Sequence, residues 1–409
     1  MSTRVAITGL GAITPIGANV NETWNNALAG NSGIVKLGDE WAEGLAAQIA
    51  GRVTQDPYEV LDRVQARRMD RSTQLGVIAA KEAWKDAGAP EIELERLGVH
   101  FGTGIGGLNT VIEQYEIMIN RGADRVNPMT VPMIMPNSAA ATVGLQFGAR
   151  AGVHSPVSAC ATSAEAIAGG LEMIRNNKAD VVIAGGTEAC LNRLAVSAFA
   201  AMKALSTRNN EPEKASRPYD LARDGFVMGE GAGALILENE NHAKARGAKI
   251  YGYLAGAGMS ADGYHIAAPE PEGAGASRAI NQALIDADLS SSDVAHINAH
   301  ATSTPVGDIA EYKAMRRALG ADLDQVLVTA TKSLTGHLLG GAGAAESILT
   351  ILALANKQAP LTLNLENQDP EIPVNVSIKN KNQLPDNARV ALNNSFGFGG
   401  HNVCLVFTN

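Results

Sequence analysis

An α/β fold built from two related halves is what this sequence predicts, and three observations predict it. Short apolar runs ending in glycine or small residues recur at residues 5–9, 99–104, 181–186, 232–237, 326–330, 390–392 and 403–407. Continuous apolar strands of this kind suit a sheet buried on both faces. Alanine-rich stretches of helical pattern lie between them, at 72–87, 162–175, 276–287 and 342–355. Strands alternating with helices argue for α/β layering. Finally, 409 residues are too many for one small core. The softest boundary is the polar stretch at 238–249, which divides the chain into halves 1–249 and 250–409. Each half then holds a strand, a small-residue turn and an alanine-rich helix around its chemical motif. A duplicated fold is therefore expected, although no sequence repeat is visible.

Composition limits the function. Aromatic residues are only 4% of the chain, so Ala, Val, Ile and Leu must fill the core. A formal net charge of -9 argues against a general binder of nucleic acid or membrane surfaces. Three cysteines, Cys160, Cys190 and Cys404, give no disulfide framework and fit a reducing cytoplasm. The N-terminus runs directly into a strand without a signal-peptide pattern, and no apolar run is read as long enough to span a membrane.

Taken in chain order, the elements carry these motifs. The first strand leads into Gly9-Leu10-Gly11-Ala12-Ile13-Thr14, which lacks the third glycine of a dinucleotide loop; Pro15-Ile16-Gly17 then spoils the helix start such a loop needs. Arg63, Arg67, Arg68 and Arg71 lie in one helical stretch, either a basic landing site or a solvated face. Cys160 sits in Val157-Ser158-Ala159-Cys160-Ala161-Thr162-Ser163, between a β-prone run and the helix at 162–175. A cysteine there faces the positive end of the helix dipole, a field that favours thiolate. The alternative is a buried structural cysteine.

The second half supplies three more motifs. Asn298-Ala299-His300-Ala301-Thr302-Ser303-Thr304-Pro305-Val306-Gly307-Asp308 puts a histidine at a strand end, then hydroxyls on a turn that can hydrogen-bond an amide-bearing substrate arm. Thr331-Lys332-Ser333-Leu334-Thr335-Gly336-His337, continuing to Glu346, holds ionisable groups in an otherwise small and apolar segment. Burial would force Lys332 and Glu346 to neutralise each other. Asn393-Asn394-Ser395-Phe396-Gly397-Phe398-Gly399-Gly400-His401-Asn402 sets two phenylalanines among glycines, as a mobile loop against a ligand would.

The order of these motifs is more specific than any one of them. With Arg217-Pro218-Tyr219-Asp220, Arg223-Asp224-Gly225-Phe226 and Gly229-Glu230-Gly231-Ala232-Gly233 between them, the chain resembles the β-ketoacyl-[acyl-carrier-protein] synthases over essentially its whole length. The resemblance implies the thiolase fold, two pseudo-duplicated α/β halves in an α-β-α-β-α sandwich. It implies an acyltransferase of the elongating class, most similar to the type II synthases of fatty acid chain elongation and to their actinobacterial branch. Ala301 stands where the family commonly has glycine and His401 where it has threonine.

By the same resemblance, Cys160 is the nucleophile, His300 and His337 are the paired histidines, and Lys332 tunes the site with Glu346 as its partner. Phe398 is the gate, and its backbone N–H, with that of Cys160, holds the oxyanion. Thr302 and Thr304 bind phosphopantetheine. Ile105, Phe199 and Phe396 contact substrate, and Arg63, Arg67, Arg68 and Arg71 dock an acidic acyl carrier protein. No organic cofactor or catalytic metal is implied; some relatives hold a structural monovalent cation near positions matching Asn298, Glu346 and Asn394. A homodimer is implied, with Met133-Ile134-Met135-Pro136, read as a loop, at its contact. Two rival readings share the fold: a polyketide ketosynthase, and a non-catalytic chain-length-factor subunit, which would lack Cys160.

Overall fold

The computed structural model describes residues 3–409. The apolar runs become strands, and among the described residues eleven of them form one sheet. The first half contributes β1 (Val5–Ile13), β2 (Leu97–Gly102), β3 (Gly152–His154), β4 (Val181–Glu188) and β5 (Gly231–Asn239). The second contributes β6 (Gly252–Ala261), β7 (Val294–Asn298), β8 (Leu327–Thr329), β9 (Asn375–Val376), β10 (Val390–Gly397) and β11 (His401–Thr408).

The duplication is plain in the strand order. The first half runs β1-β5-β4-β2-β3 and the second β6-β11-β10-β7-β8, with β9 added at the edge. Directions match as well. In each half the first two pairings are antiparallel and the next two parallel. The halves join where Val5, Ala6 and Ile7 pair antiparallel with Leu254, Tyr253 and Gly252.

Five helices complete the layers: α1 (Arg71–Asp86), α2 (Thr162–Arg175), α3 (Ala274–Asp286), α4 (Pro305–Leu319) and α5 (Ala342–Asn356). Helix α1 covers the outer face of the first half-sheet, and α3, with α4 beside it, that of the second. Helices α2 and α5 lie between the half-sheets and touch both. The sheet is thus folded over two central helices, giving α-β-α-β-α. Three apolar cores follow. The middle one mixes halves, with Ile167 and Leu171 of α2, Ile348 and Ile351 of α5, Leu235 of β5 and Leu405 of β11. One outer core lies wholly in the first half, and the other is built from the second half together with Tyr219. Each fully buried Leu or Ile here contributes about 1.5–3 kcal/mol.

Three sequence readings change. Residues Leu339–Asn356 form a helical run long and apolar enough to cross a membrane by length and composition. It is nearly all buried between the half-sheets, so core demand explains its apolarity. The arginine stretch is not one helix. Asp62 caps a single turn, Arg63–Ala66, and Asp70 caps α1 by accepting from Ser72 N at 2.9 Å. Met133 and Ile134 close a short helix, Thr130–Ile134, leaving only Met135 and Pro136 as loop.

Candidate active site

Cys160 stands at the head of a central helix. It is the middle residue of one 3-10 turn, Ala159–Ala161, that leads into α2. Ala159 has φ 51, a left-handed conformation that is strained for a residue with a Cβ. The hairpin between β10 and β11 closes over this turn. A Cβ on Gly397 would lie 2.4 Å from the Ser158 carbonyl oxygen, so only glycine permits that approach. The Phe398 backbone N–H favours the Cys160 thiolate.

The two histidines arrive from the second half. His300 follows β7, and Glu311 of α4 fixes it by accepting from His300 N (2.8 Å) and Ala301 N (2.6 Å). His337 follows the short helix Lys332–Thr335. The two rings meet edge to face, with centroids 5.2 Å apart. Leu339 N donates to His337 Nδ1 at 3.3 Å, which leaves the ring proton on Nε2. That Nε2 and His300 Nδ1 are buried without a protein partner. Burial, reinforced by the charge of Lys332, lowers both imidazoles well below their usual range. Both are neutral near pH 7, and each has one N–H to give.

The thiol departs from the sequence expectation. Burial pushes it up to about 12; the Lys332 charge pulls down and Glu188 pushes up further. Lys332 Nζ meets Glu346 Oε1 at 2.5 Å with both side chains buried, the mutual neutralisation expected of them. Burial raises the Glu346 carboxyl against that attraction.

All of this opens into one cavity of about 610 Å³. Its wall includes Cys160, His300, His337, Phe396, Phe398, Ile105, Phe199, Thr302 and Thr304. The hydroxyls of Thr302 and Thr304 stand 3.1 Å apart. The turn bearing them runs straight into a helix: Thr304 caps α4, accepting from Gly307 N, and Pro305 is the first helical residue. Lys332 and Glu346 lie behind the wall.

The four arginines separate. Arg63, Arg67 and Arg68 are exposed. Arg71 instead is half-buried and grips buried Glu230 with two hydrogen bonds of 2.7 and 2.8 Å. Cys404 is buried in β11 as expected and away from the cavity.

Sequence reasoning missed Glu188. It ends β4, lines the cavity and is fully buried. It accepts from Thr103 Oγ1 (2.6 Å), Gly104 N (2.9 Å), Ile105 N (3.3 Å) and Gly340 N (3.2 Å). Burial raises its carboxyl to about 7. The available signal was one acid ending an otherwise apolar run. The oxygens Glu346 Oε2, Asn393 Oδ1 and Asn394 Oδ1 are buried without partners, while Asn298 Oδ1 accepts from Thr331. Neutral amide oxygens with one carboxylate suit a hard cation of low charge. No cluster of three His, Cys, Asp or Glu suited to a metal occurs among the described residues.

Comparison with known proteins agrees with this geometry. Residues 2–243 match the family model for the β-ketoacyl synthase N-terminal domain, and residues 251–366 the one for its C-terminal domain. A 3-oxoacyl-[acyl-carrier-protein] synthase 2 of Synechocystis is 45% identical over 99% of this chain and 97% of its own. The protein of the same name from Mycobacterium tuberculosis is 44% identical over 98% and 96%. Among solved structures, a β-ketoacyl synthase from Burkholderia phymatum is 35% identical, with TM-score 0.91 over 100% of this chain and 99% of that one. A ketosynthase in complex with its type II polyketide acyl carrier protein, bound to a hexaketide, is 33% identical, with TM-score 0.91 over the whole of both chains. The strand order, the cysteine turn with its two neutral imidazoles and these matches agree: the chain belongs to the β-ketoacyl synthase family of condensing enzymes.

Proposed function

We propose that this protein is a 3-oxoacyl-[acyl-carrier-protein] synthase of the second type, elongating fatty acyl chains. The observation that carries the reading is the meeting of Cys160 with His300 and His337 in one cavity. Cys160 attacks an acyl thioester; its sulfur takes the acyl group, and the thiol proton ends on the released carrier thiol. Malonyl thioester then enters and loses carbon dioxide. The enolate oxygen accepts from the N–H groups of His300 and His337. The enolate carbon attacks the acyl carbonyl, whose oxyanion the Cys160 and Phe398 backbone N–H groups hold. Collapse expels the Cys160 thiolate, which takes a proton, and releases the 3-oxoacyl thioester.

Other residues position these events. Lys332, held by Glu346, keeps both imidazoles neutral. Thr302 and Thr304 hold the pantetheine amides. Ile105 and Phe199 line the acyl channel, and Phe398 swings to admit the chain, with Phe396 against His300 at 5.8 Å between ring centroids. No organic cofactor takes part. A monovalent cation near Asn298, Glu346 and Asn394 would stiffen the wall behind Lys332 without entering the reaction. Arg63, Arg67 and Arg68 form the landing site for the acidic carrier protein.

The protein acts in the cytoplasm as a homodimer. Support comes from the free edge of β3, which ends the sheet. In the same half Tyr115, Ile119, Val131, Met135, Leu145 and Val153 are exposed apolar side chains. An open strand edge and exposed apolar side chains both call for a partner. A polyketide role is favoured by ketosynthases at 33% and 29% identity, against relatives at 44–45%. Cys160 argues against a chain-length factor.

Mass spectrometry of the intact protein after incubation with acyl carrier proteins of several chain lengths tests the reading. One acyl group should appear per chain, and none on Cys160→Ala, which should lose condensation entirely while still folding. Acylation of the alanine variant would sink the nucleophile assignment.

A further inference from the structure

The segment 217–225 carries two charged motifs that the chemistry above leaves unused. In the structure it wraps around the back of the Thr302–Thr304 turn. Ser303 has φ 70, the left-handed region, at a residue with a side chain. Such a conformation costs about 1–3 kcal/mol and persists only when its surroundings enforce it. It turns the Ser303 side chain inward, fully buried, while its two neighbours reach the cavity wall.

The enforcing groups come from that segment. Arg217 N donates to Ser303 Oγ (2.9 Å), and Gly225 N to the Ser303 carbonyl (3.1 Å). Arg223, itself buried, donates Nε to the Thr304 carbonyl (3.2 Å) and Nη2 to the Pro305 carbonyl (3.0 Å). Its Nη1 binds the Asp220 carbonyl (2.9 Å) and Asp369 (2.8 Å), which locks the guanidinium plane. Asp308 accepts from Ser303 N (3.1 Å) and Tyr219 N (3.0 Å) and closes the network.

We infer that Arg223 is a positioning residue for the amide-bearing arm of the thioester substrate. It touches no substrate. It holds two consecutive carbonyls so that the Thr302 and Thr304 hydroxyls stay 3.1 Å apart and face the cavity. The inference rests on the reading of those hydroxyls as the arm's partners. A planar fork with donors aimed at separate carbonyls is a task for arginine; lysine keeps the charge and loses the fork.

The test compares two acyl donors in single-turnover acylation of Cys160: hexanoyl-pantetheine, which has the arm, and 4-nitrophenyl hexanoate, which lacks it. Their rate ratio does not depend on how much of a variant folds. Arg223→Lys and Arg223→Gln should each lower the ratio about tenfold, through KM for the pantetheine donor with little change in kcat. Thr304→Val should lower the same ratio. If Thr304→Val leaves the ratio unchanged, the hydroxyl assignment falls and the inference with it. If Thr304→Val lowers it and both Arg223 variants do not, the positioning role alone is overturned.

Discussion

The two halves share a strand order and put different things at the same place. In the first, the turn Ala159–Ala161 carries Cys160 into α2; in the second, Leu339–Gly341 carries Gly340 into α5. Both turns open on a left-handed residue, Ala159 at φ 51 and Leu339 at φ 47. The helix heads cross, with Ala344 N donating to Ser163 Oγ at 2.9 Å. A Cβ on Gly340 would lie 2.3 Å from Gly104 N, so the site matching Cys160 has no room for a side chain. The second half instead places His300, His337 and Lys332 around its partner's cysteine. Duplication supplies two scaffolds facing each other, and on the proposed function the chemistry is divided between them, the nucleophile on one side and the imidazole donors and the lysine charge on the other.

The division breaks hardest at Lys332. Lys332→Ala leaves the Glu346 carboxylate buried and unpaired, a change that typically costs 3–5 kcal/mol, so about that loss is expected in urea unfolding. The pH dependence has a definite sign. Burial already raises Glu346 from an ordinary 4.5, and without the ammonium it rises further. A carboxyl whose pKa is higher folded than unfolded is stabilising below the unfolded value, and that contribution is lost as pH rises through the folded one. The parent's folded carboxyl sits at about 7 and the unfolded value is common to both proteins, so the deficit of the variant should stay level below about pH 7 and grow as pH rises above it. Lys332→Met with Glu346→Leu should recover most of the loss. A double variant as unstable as the single one would show that the pair is not the cause.

How much of this division could be read in the chain depends on how local the signal was. Cys160 was legible because small residues precede an alanine-rich helix. The Lys332–Glu346 pairing was legible because two charges stand in a segment with nothing else to pair them. The duplication was hinted at and not visible as a repeat, because strand order and the two bent turns persist while the side chains do not: Cys160 matches a glycine. The pairing of Arg71 was not legible because a run of arginines hides a helix start; Asp70 as cap marks it, and only the fold brings Glu230 within 2.7 Å. Glu188 was missed because its four donors come from residues 103–105 and 340, which no local pattern connects.

The histidines test the division in catalysis. His337→Ala or His300→Ala should slow decarboxylation of malonyl thioester roughly 10²–10³-fold, the usual effect of removing one preorganised donor. Transfer of an acyl group to Cys160 should fall less, because the first half carries the nucleophile. Single-turnover measurement of each half-reaction checks this. Equal losses in both would mean that the second half also drives acyl transfer, and the split between the halves would not hold.

The smallest expected effect concerns the one carboxylate that bridges both halves beside the thiol. The thiol is pushed up to about 12, so alkylation of Cys160 by iodoacetamide should climb about tenfold per pH unit from neutrality, with no plateau below about pH 10. Glu188 raises that thiol by its negative charge, and its own carboxyl sits at about 7. Glu188→Gln keeps the shape and removes the charge. Below pH 7 Glu188 is protonated in the parent protein too, so parent and variant should react at similar rates. Above it they should part, the variant reacting about three- to tenfold faster, a shift of up to about one pKa unit. The ratio of the two rates should therefore rise as pH passes through about 7. A flat ratio across that range would mean that Glu188 acts on Cys160 only through packing, while a plateau in the parent near neutrality would restore the helix head as the dominant influence on the thiol.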